Sequence, residues 1–309
     1  MKALVTNITE NREAWLEARK GKISSSNIAI VAGQNQYKSR LELWLEFTGK
    51  RVDTFEGNDF TDLGIALEPF VGKLFAKKYG LQVEPANALY QHPNFDWAVA
   101  SPDDLVYRDG ALDGICEIKT ATERSLHKWL DDACPTAYQI QLMWQMGVCG
   151  IQRGWVAGLV GGDPRNFFTP AFAYDDSVFD QLLEMGARFL DMVASDTPPN
   201  PGPGDSKLIT ALLGEPGSAV VQLDDDTTAE LIPHVEAIQN LQAVKKGLNA
   251  ELKERDEELK AHQNFIRMRM GDAGAAILAD GTAIKLCSVN VGEKIVAPYS
   301  YVRMTVKTK

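Results

Sequence analysis

Glu117 and Lys119 stand two positions apart in Gly114-Ile-Cys-Glu-Ile-Lys-Thr120, a run otherwise without charge. Side chains alternate along a strand, so Cys116 and Ile118 face one side while Glu117 and Lys119 share the other. A solvated ion pair and one edge of a catalytic site both fit that pattern. Thirteen residues separate Glu117 from Asp103 in Ser101-Pro-Asp-Asp104, which puts a second acid on the neighbouring strand. Divalent magnesium or manganese takes hard oxygen ligands: carboxylates, waters and phosphate oxygens. Two acids and a lysine on adjacent strands therefore suit a metal-assisted attack on a phosphate ester, the lysine orienting water or neutralising charge on phosphorus. A third acid, Glu68 in Gly64-Ile-Ala-Leu-Glu-Pro69, lies on an upstream segment of helical spacing.

Several elements must position these groups. Trp15 to Gly21 reads as a short helix stopped by glycine, and Ser24 to Ser26 as N-caps of a second helix containing Ile28 and Ile30. Leu63, Leu67, Phe70, Val71, Leu74 and Phe75 recur at helical spacing over 62–79, closed by Gly80. The period then falls to two. Residues 97–101, 105–107 and 115–118 read as an antiparallel meander with turns at Asp109-Gly110 and Asp113-Gly114. Residues 123–147 return to helix, 155–160 and 167–174 to strand, and 177–194 to an amphipathic helix. Thr197-Pro-Pro-Asn-Pro-Gly-Pro-Gly204 cannot continue a helix, so 197–206 is a linker between a core at 1–196 and an extension at 207–309. In that extension Thr227-Thr-Ala-Glu230 has the capping-box pattern, a helical stripe follows, and 281–289 with 301–306 read as a small ribbon.

The literal Pro102-Asp103 and Glu117-Ile-Lys119 resemble the PD-(D/E)XK nuclease superfamily. Trp15-x3-Arg19-x-Gly21-x-Ile23-x2-Ser26 and Ala137-Tyr-Gln-Ile-Gln-Leu-Met-Trp144 narrow this to a resemblance to the bacteriophage lambda exonuclease, or YqaJ-type viral recombinase, family. The resemblance covers roughly residues 10–195. It implies an α/β (α+β) restriction-endonuclease-like core, a central mixed sheet flanked by helices. It further implies Glu68, Asp103, Glu117, Lys119 and Gln141 as catalytic residues, and Glu68, Asp103, Glu117 and the Ile118 backbone carbonyl as ligands of two Mg2+ ions, with Mn2+ as substitute. Arg19 and Ser26 inherit contact with a DNA 5'-phosphate. The family often has glycine where this chain has Asp104; Asp103 is preferred as ligand because it follows Pro102.

The activity so implied is a 5'-to-3' exonuclease on linear double-stranded DNA, leaving 3' strands for phage-type recombination. The implied partners are double-stranded DNA ends, a single-strand annealing recombination protein, and copies of itself in a trimeric ring. Enclosure by a ring also reconciles DNA binding with a formal net charge of -10. Half of that excess comes from residues 224–260, with ten acids and five bases. Two alternatives stand beside it. One is a PD-(D/E)XK endonuclease or RecB-like repair nuclease without an iron-sulfur cluster. The other is a non-catalytic assembly protein using residues 227–262.

Composition narrows the classes independently. With 309 residues, 45% hydrophobic and 24% charged, the chain can bury a substantial core. Cys116, Cys134, Cys149 and Cys287 have no C-x-x-C spacing, so buried free thiols are expected. The histidines are equally scattered and give zinc no support. No apolar run approaches the roughly 20 residues that span a bilayer, and no leader-like apolar region opens the chain. A soluble cytoplasmic protein of a bacterial host or prophage, with no membrane partner, is expected.

Overall fold

The computed structural model describes residues 1–52, 57–131, 133–214 and 217–286. The chain divides into two compact units, Met1–Ala211 and Leu212–Lys309.

The first unit opens with β1 (Lys2–Thr6), α1 (Arg12–Arg19), α2 (Ser25–Val31) and α3 (Arg40–Phe47). Ser24 and Ser39 cap the last two, accepting from the N–H groups of Asn27 and Glu42. The next helix, α4 (Asp59–Tyr79), is capped by Asn58 and ended by Gly80 in the left-handed region. Its sequence tolerates Pro69 in its middle, at the cost of one helical hydrogen bond. Strands β2 (Gln82–Pro85), β3 (Ala88–Gln91), β4 (Val99–Ala100), β5 (Asp104–Arg108) and β6 (Ala111–Ala121) follow. Then come α5 (Thr136–Cys149), β7 (Arg153–Val160), β8 (Phe167–Phe168), β9 (Ala171–Ala173) and α6 (Asp176–Ala194).

The central sheet is mixed. Its order is β2-β5-β6-β7-β8, with β9 also on β7, and β6 and β7 are parallel, joined through α5. Alternation sends each strand's residues into two cores. Val106, Cys116, Ile118, Trp155 and Ala157 pack against Val71 and Phe75 of α4. Leu105, Ile115, Val156 and Val160 join the larger cluster with Leu142 and Met146 of α5 and residues of α2, α3 and α6. The strand carrying Glu117 and Lys119 is thus covered on both faces.

Three readings of the sequence need correction here. Residues 97–101 do not extend the β5–β6 meander: β4 pairs with β3 in a separate sheet, order β1-β3-β4, and the chain bends at Asp103 before β5 begins. Asp113-Gly114 is no turn. The hairpin turns at Asp109-Gly110, and Asp113 is the unpaired residue of a bulge between Leu112 opposite Tyr107 and Gly114 opposite Val106. Residues 123–147 are not one helix, since a short 3-10 segment (Glu123–Lys128) precedes Pro135, and α5 begins only at Thr136.

α7 (Ser206–Leu213) crosses into the second unit, and Leu208 still packs on the first unit's core. α8 (Asp225–Met270) is a single helix of 46 residues without a buried residue. Its N-cap is Asp224, accepting from Thr227 at 2.7 Å, so the capping box read at Thr227 lies inside the first turn. Of the expected ribbon, 281–289 supplies β11 (Ala283–Lys285), but β11 pairs in a hairpin with β10 (Ala275–Ile277), a strand not read from the sequence. The expected strand at 301–306 and Cys287 lie outside the described residues, while Cys116, Cys134 and Cys149 are buried free thiols. Among the described residues, no helix is long and apolar enough to cross a membrane.

Candidate active site

Glu117 sits in the middle of β6 and is 1% exposed. A carboxylate so buried needs partners for both oxygens. Oε1 accepts from the Lys119 ammonium and from the Gln141 side-chain amide, and Oε2 accepts from Gln145 Nε2 at 2.6 Å. Gln141 and Gln145 lie one helical turn apart, so α5 grips the carboxylate from one face. Sequence reading had singled out Gln141 and missed Gln145; the i,i+4 spacing of two amides in an apolar helix was the available signal. Gln139, one residue off that face, instead donates to the Cys134 carbonyl at 2.8 Å.

Asp103 enters from the segment before β5. Its Oδ2 accepts from the Ile118 N–H at 2.7 Å, which ties the acid to the backbone between Glu117 and Lys119. Burial, then the charge of Glu117, push its proton affinity well above the ordinary aspartate value, with Lys119 and the Ile118 N–H opposing. Glu68, projecting from α4, is raised by burial and by Glu117. Asp104 pairs across the hairpin with Cys116 and lies against α4, where a Cβ added to Gly72 would come within 2.6 Å of its Oδ2. Burial, then Glu68 and Glu117, push its pKa up to about 6. Burial works against the Lys119 ammonium, but Glu117 and Asp103 overcome it and hold the pKa above the usual lysine value. The group is therefore a set of mutually repelling acids compensated by a single lysine. Among the described residues, no three His, Cys, Asp or Glu side chains already converge on one point as a chelate.

A second arrangement adjoins the first. Arg19 at the end of α1 donates through Nη2 to Ser24 Oγ at 2.8 Å and Ser26 Oγ at 3.1 Å, while its guanidinium lies 4.2 Å from the Trp15 ring centroid. Trp15 Nε1 donates to Ser101 Oγ at 3.2 Å. Burial lowers the Arg19 pKa to about 10, leaving it charged at neutral pH, and among the described residues no acid forms an ion pair with it. Trp15, Arg19, Ser24, Ser25, Ser26, Ser101 and Gln141 line a recess of about 150 Å³. A guanidinium, three hydroxyls at the start of α2 and a helix N-terminus make this recess suited to an anion. Gln141 belongs to both arrangements: it lines the recess and holds Glu117.

Comparison with known proteins places these residues in context. Residues 14–152 match the YqaJ-like viral recombinase domain. The Bacillus subtilis (strain 168) protein YqaJ is 29% identical over 188 residues, 60% of this chain and 57% of that one. A similarity to protein R354 of Acanthamoeba polyphaga mimivirus, 22% identical over 160 residues, covers 47% of this chain and 28% of that protein. The chain thus spans 57% or less of either curated relative. Among solved structures, the alkaline exonuclease LHK-Exo from Laribacter hongkongensis superimposes with a TM-score of 0.51 at 25% identity, covering 65% of this chain and all (100%) of that one. The same protein in complex with dAMP gives a TM-score of 0.52.

Proposed function

For a chain that belongs, through residues 14–152, to the YqaJ-like viral recombinase family, we propose that the protein is a nuclease acting on DNA, a magnesium-dependent 5'-to-3' exonuclease on linear duplexes. The observation that carries this reading is the continuity of the two arrangements: Gln141 lines the anion recess and also bonds Glu117. A terminal 5'-phosphate held by Arg19, Ser24 and Ser26 would place the first phosphodiester beside the acids. Hydrolysis adds water at phosphorus and breaks the P–O3' bond, so the shortened strand again ends in a 5'-phosphate. The recess can then receive the product of each cut as the substrate of the next.

The donor chemistry fits a hard cation: Glu68, Asp103 and Glu117 offer carboxylate oxygens, and burial followed by the charge of Glu117 raises the proton affinities of Glu68 and Asp103. The Ile118 carbonyl is a fourth donor, since in a strand it points the same way as the N–H bonded to Asp103, beyond the end of β5. Three acids and a carbonyl exceed what one Mg2+, which retains several waters, takes up, and two ions are proposed, with Mn2+ as substitute. Held by these donors, a metal would supply a hydroxide from water and would stabilise charge on the departing oxygen. Lys119 stays protonated and positions that water or meets the charge on the phosphate. Gln141 and Gln145 fix the Glu117 carboxylate.

The recombination context, an annealing protein that receives the 3' strand, and a ring of subunits belong to the same proposal. Matched linear and circular duplexes with magnesium, carrying phosphorylated or unphosphorylated 5' ends, test it. Release of nucleotides from phosphorylated linear duplex is expected, with loss in Glu117→Gln and Lys119→Ala. Equal cutting of closed circles would replace the exonuclease by an endonuclease, and intact activity in both variants would remove the site assignment.

A further inference from the structure

α8 extends for 46 residues without a buried residue, and six of its apolar side chains fall on one seam. From Ile238 onward they recur at the alternating three- and four-residue spacing of a coiled coil: Ile238, Leu241, Leu248, Leu252, Leu259 and Ile266, with Lys245, Arg255 and His262 at the intervening positions. Leu241, Leu248, Leu252 and Leu259 are 66%, 61%, 60% and 54% exposed. Such a seam, sustained over more than three heptads, is stable in water only when another helix covers it.

The charges say which helix. The acids of this segment avoid the seam altogether, whereas Lys245 and Arg255 occupy it, and Glu251, Asp256 and Glu258 border it. In knobs-into-holes packing of two parallel strands, a residue at the second apolar position of the heptad enters a hole whose wall includes the partner's next residue. Arg255 would there meet Asp256 of an identical helix, which converts a cation inside an apolar seam into an ion pair. Alone, among the described residues, it pairs with Glu258 on its own helix, at 3.0 Å and well exposed. A lone lysine at a core position, here Lys245, holds such a pair in one register. We propose that α8 is a homotypic interaction surface, pairing in parallel and in register with α8 of a second copy of this chain. The inference is independent of the nuclease reading.

Disulfide trapping in the full-length chain tests it. Leu252→Cys places a thiol on the seam and Ala250→Cys places one on the opposite side of the helix. Mild oxidation should yield covalent dimers from Leu252→Cys, above the wild-type background of native thiols, and not from Ala250→Cys. Adding Arg255→Glu should lower the Leu252→Cys yield several-fold, and adding Asp256→Lys as well should restore it. Circular dichroism of the two cysteine variants, expected to match, separates pairing from loss of the helix. Absence of the Leu252→Cys dimer with helix content retained, or equal yields from positions 252 and 250, overturns the proposal.

Discussion

Glu117 shows how a buried charge becomes usable chemistry. Its oxygens are held by Lys119, Gln141 and Gln145, so no rotamer freedom remains to be lost when a substrate arrives. Gln145 is wholly buried, and its own Oε1 finds no partner among the described residues, which marks it as a donor kept for Glu117 at some cost. A buried hydrogen bond to a charged group contributes about 1.5–3 kcal/mol, so Gln145→Leu should lower kcat on linear DNA by roughly ten- to a hundredfold with little change in KM. Asp104 makes a pH prediction. Its folded pKa of about 6 exceeds the ordinary 3.8, because burial and then Glu68 and Glu117 disfavour the ionised form. The stabilisation from the neutral acid is therefore full below 3.8 and is lost as pH rises through about 6. In chelator, Asp104→Asn should leave the melting temperature near wild type at pH 4 and raise it relative to wild type at pH 8. Equal differences at both pH values would contradict the burial argument.

At the scale of elements, the site depends on how closely α4 lies on the sheet. Gly72 allows that approach: with a Cβ there, the Asp104 carboxylate would have to move. Gly72→Ala should destabilise the fold by about 1–3 kcal/mol, read as a lower midpoint in urea, despite the better helix propensity of alanine. Much of this layout was legible in the residues. The stripe from Leu63 to Phe75 announced α4, and Ser24 and Gly80 marked helix ends. The alternation around Glu117 placed Cys116 and Ile118 in one core and the charged pair on the other face. What misled was local. Asp113-Gly114 has turn chemistry but sits in a bulge, because β6 continues to Ala121 through pairing with β7, a partner distant in sequence. The two-residue β4 reads as part of a meander, yet it pairs with β3 and β1, which no nearby residue specifies.

The whole molecule consists of a unit with a two-sided core and a unit dominated by one exposed helix. Both core clusters lie within residues 23–208, and the segment after α6 contributes to them through Leu208, close to the buried Asp205. A chain ending at Ala211 should therefore melt within a few degrees of the first unit in the intact protein. A chain ending at Asp196 should melt measurably lower, because it loses Leu208, which packs on the core. Circular dichroism melts of the two truncations decide this, and equal midpoints would refute it.

The sequence by itself determined the chemistry that the site can support. Acids, a lysine, an arginine and hydroxyls at particular spacings suffice to identify hard-cation and phosphate recognition, since those properties belong to the side chains. Only the tertiary structure decided which groups meet. That Gln141 serves both the recess and Glu117, that Gln145 completes the grip, and that Asp104 turns under Gly72 follow from packing α5 and α4 on opposite faces of one strand. Such contacts join residues far apart in sequence, where local propensity carries no information about distance.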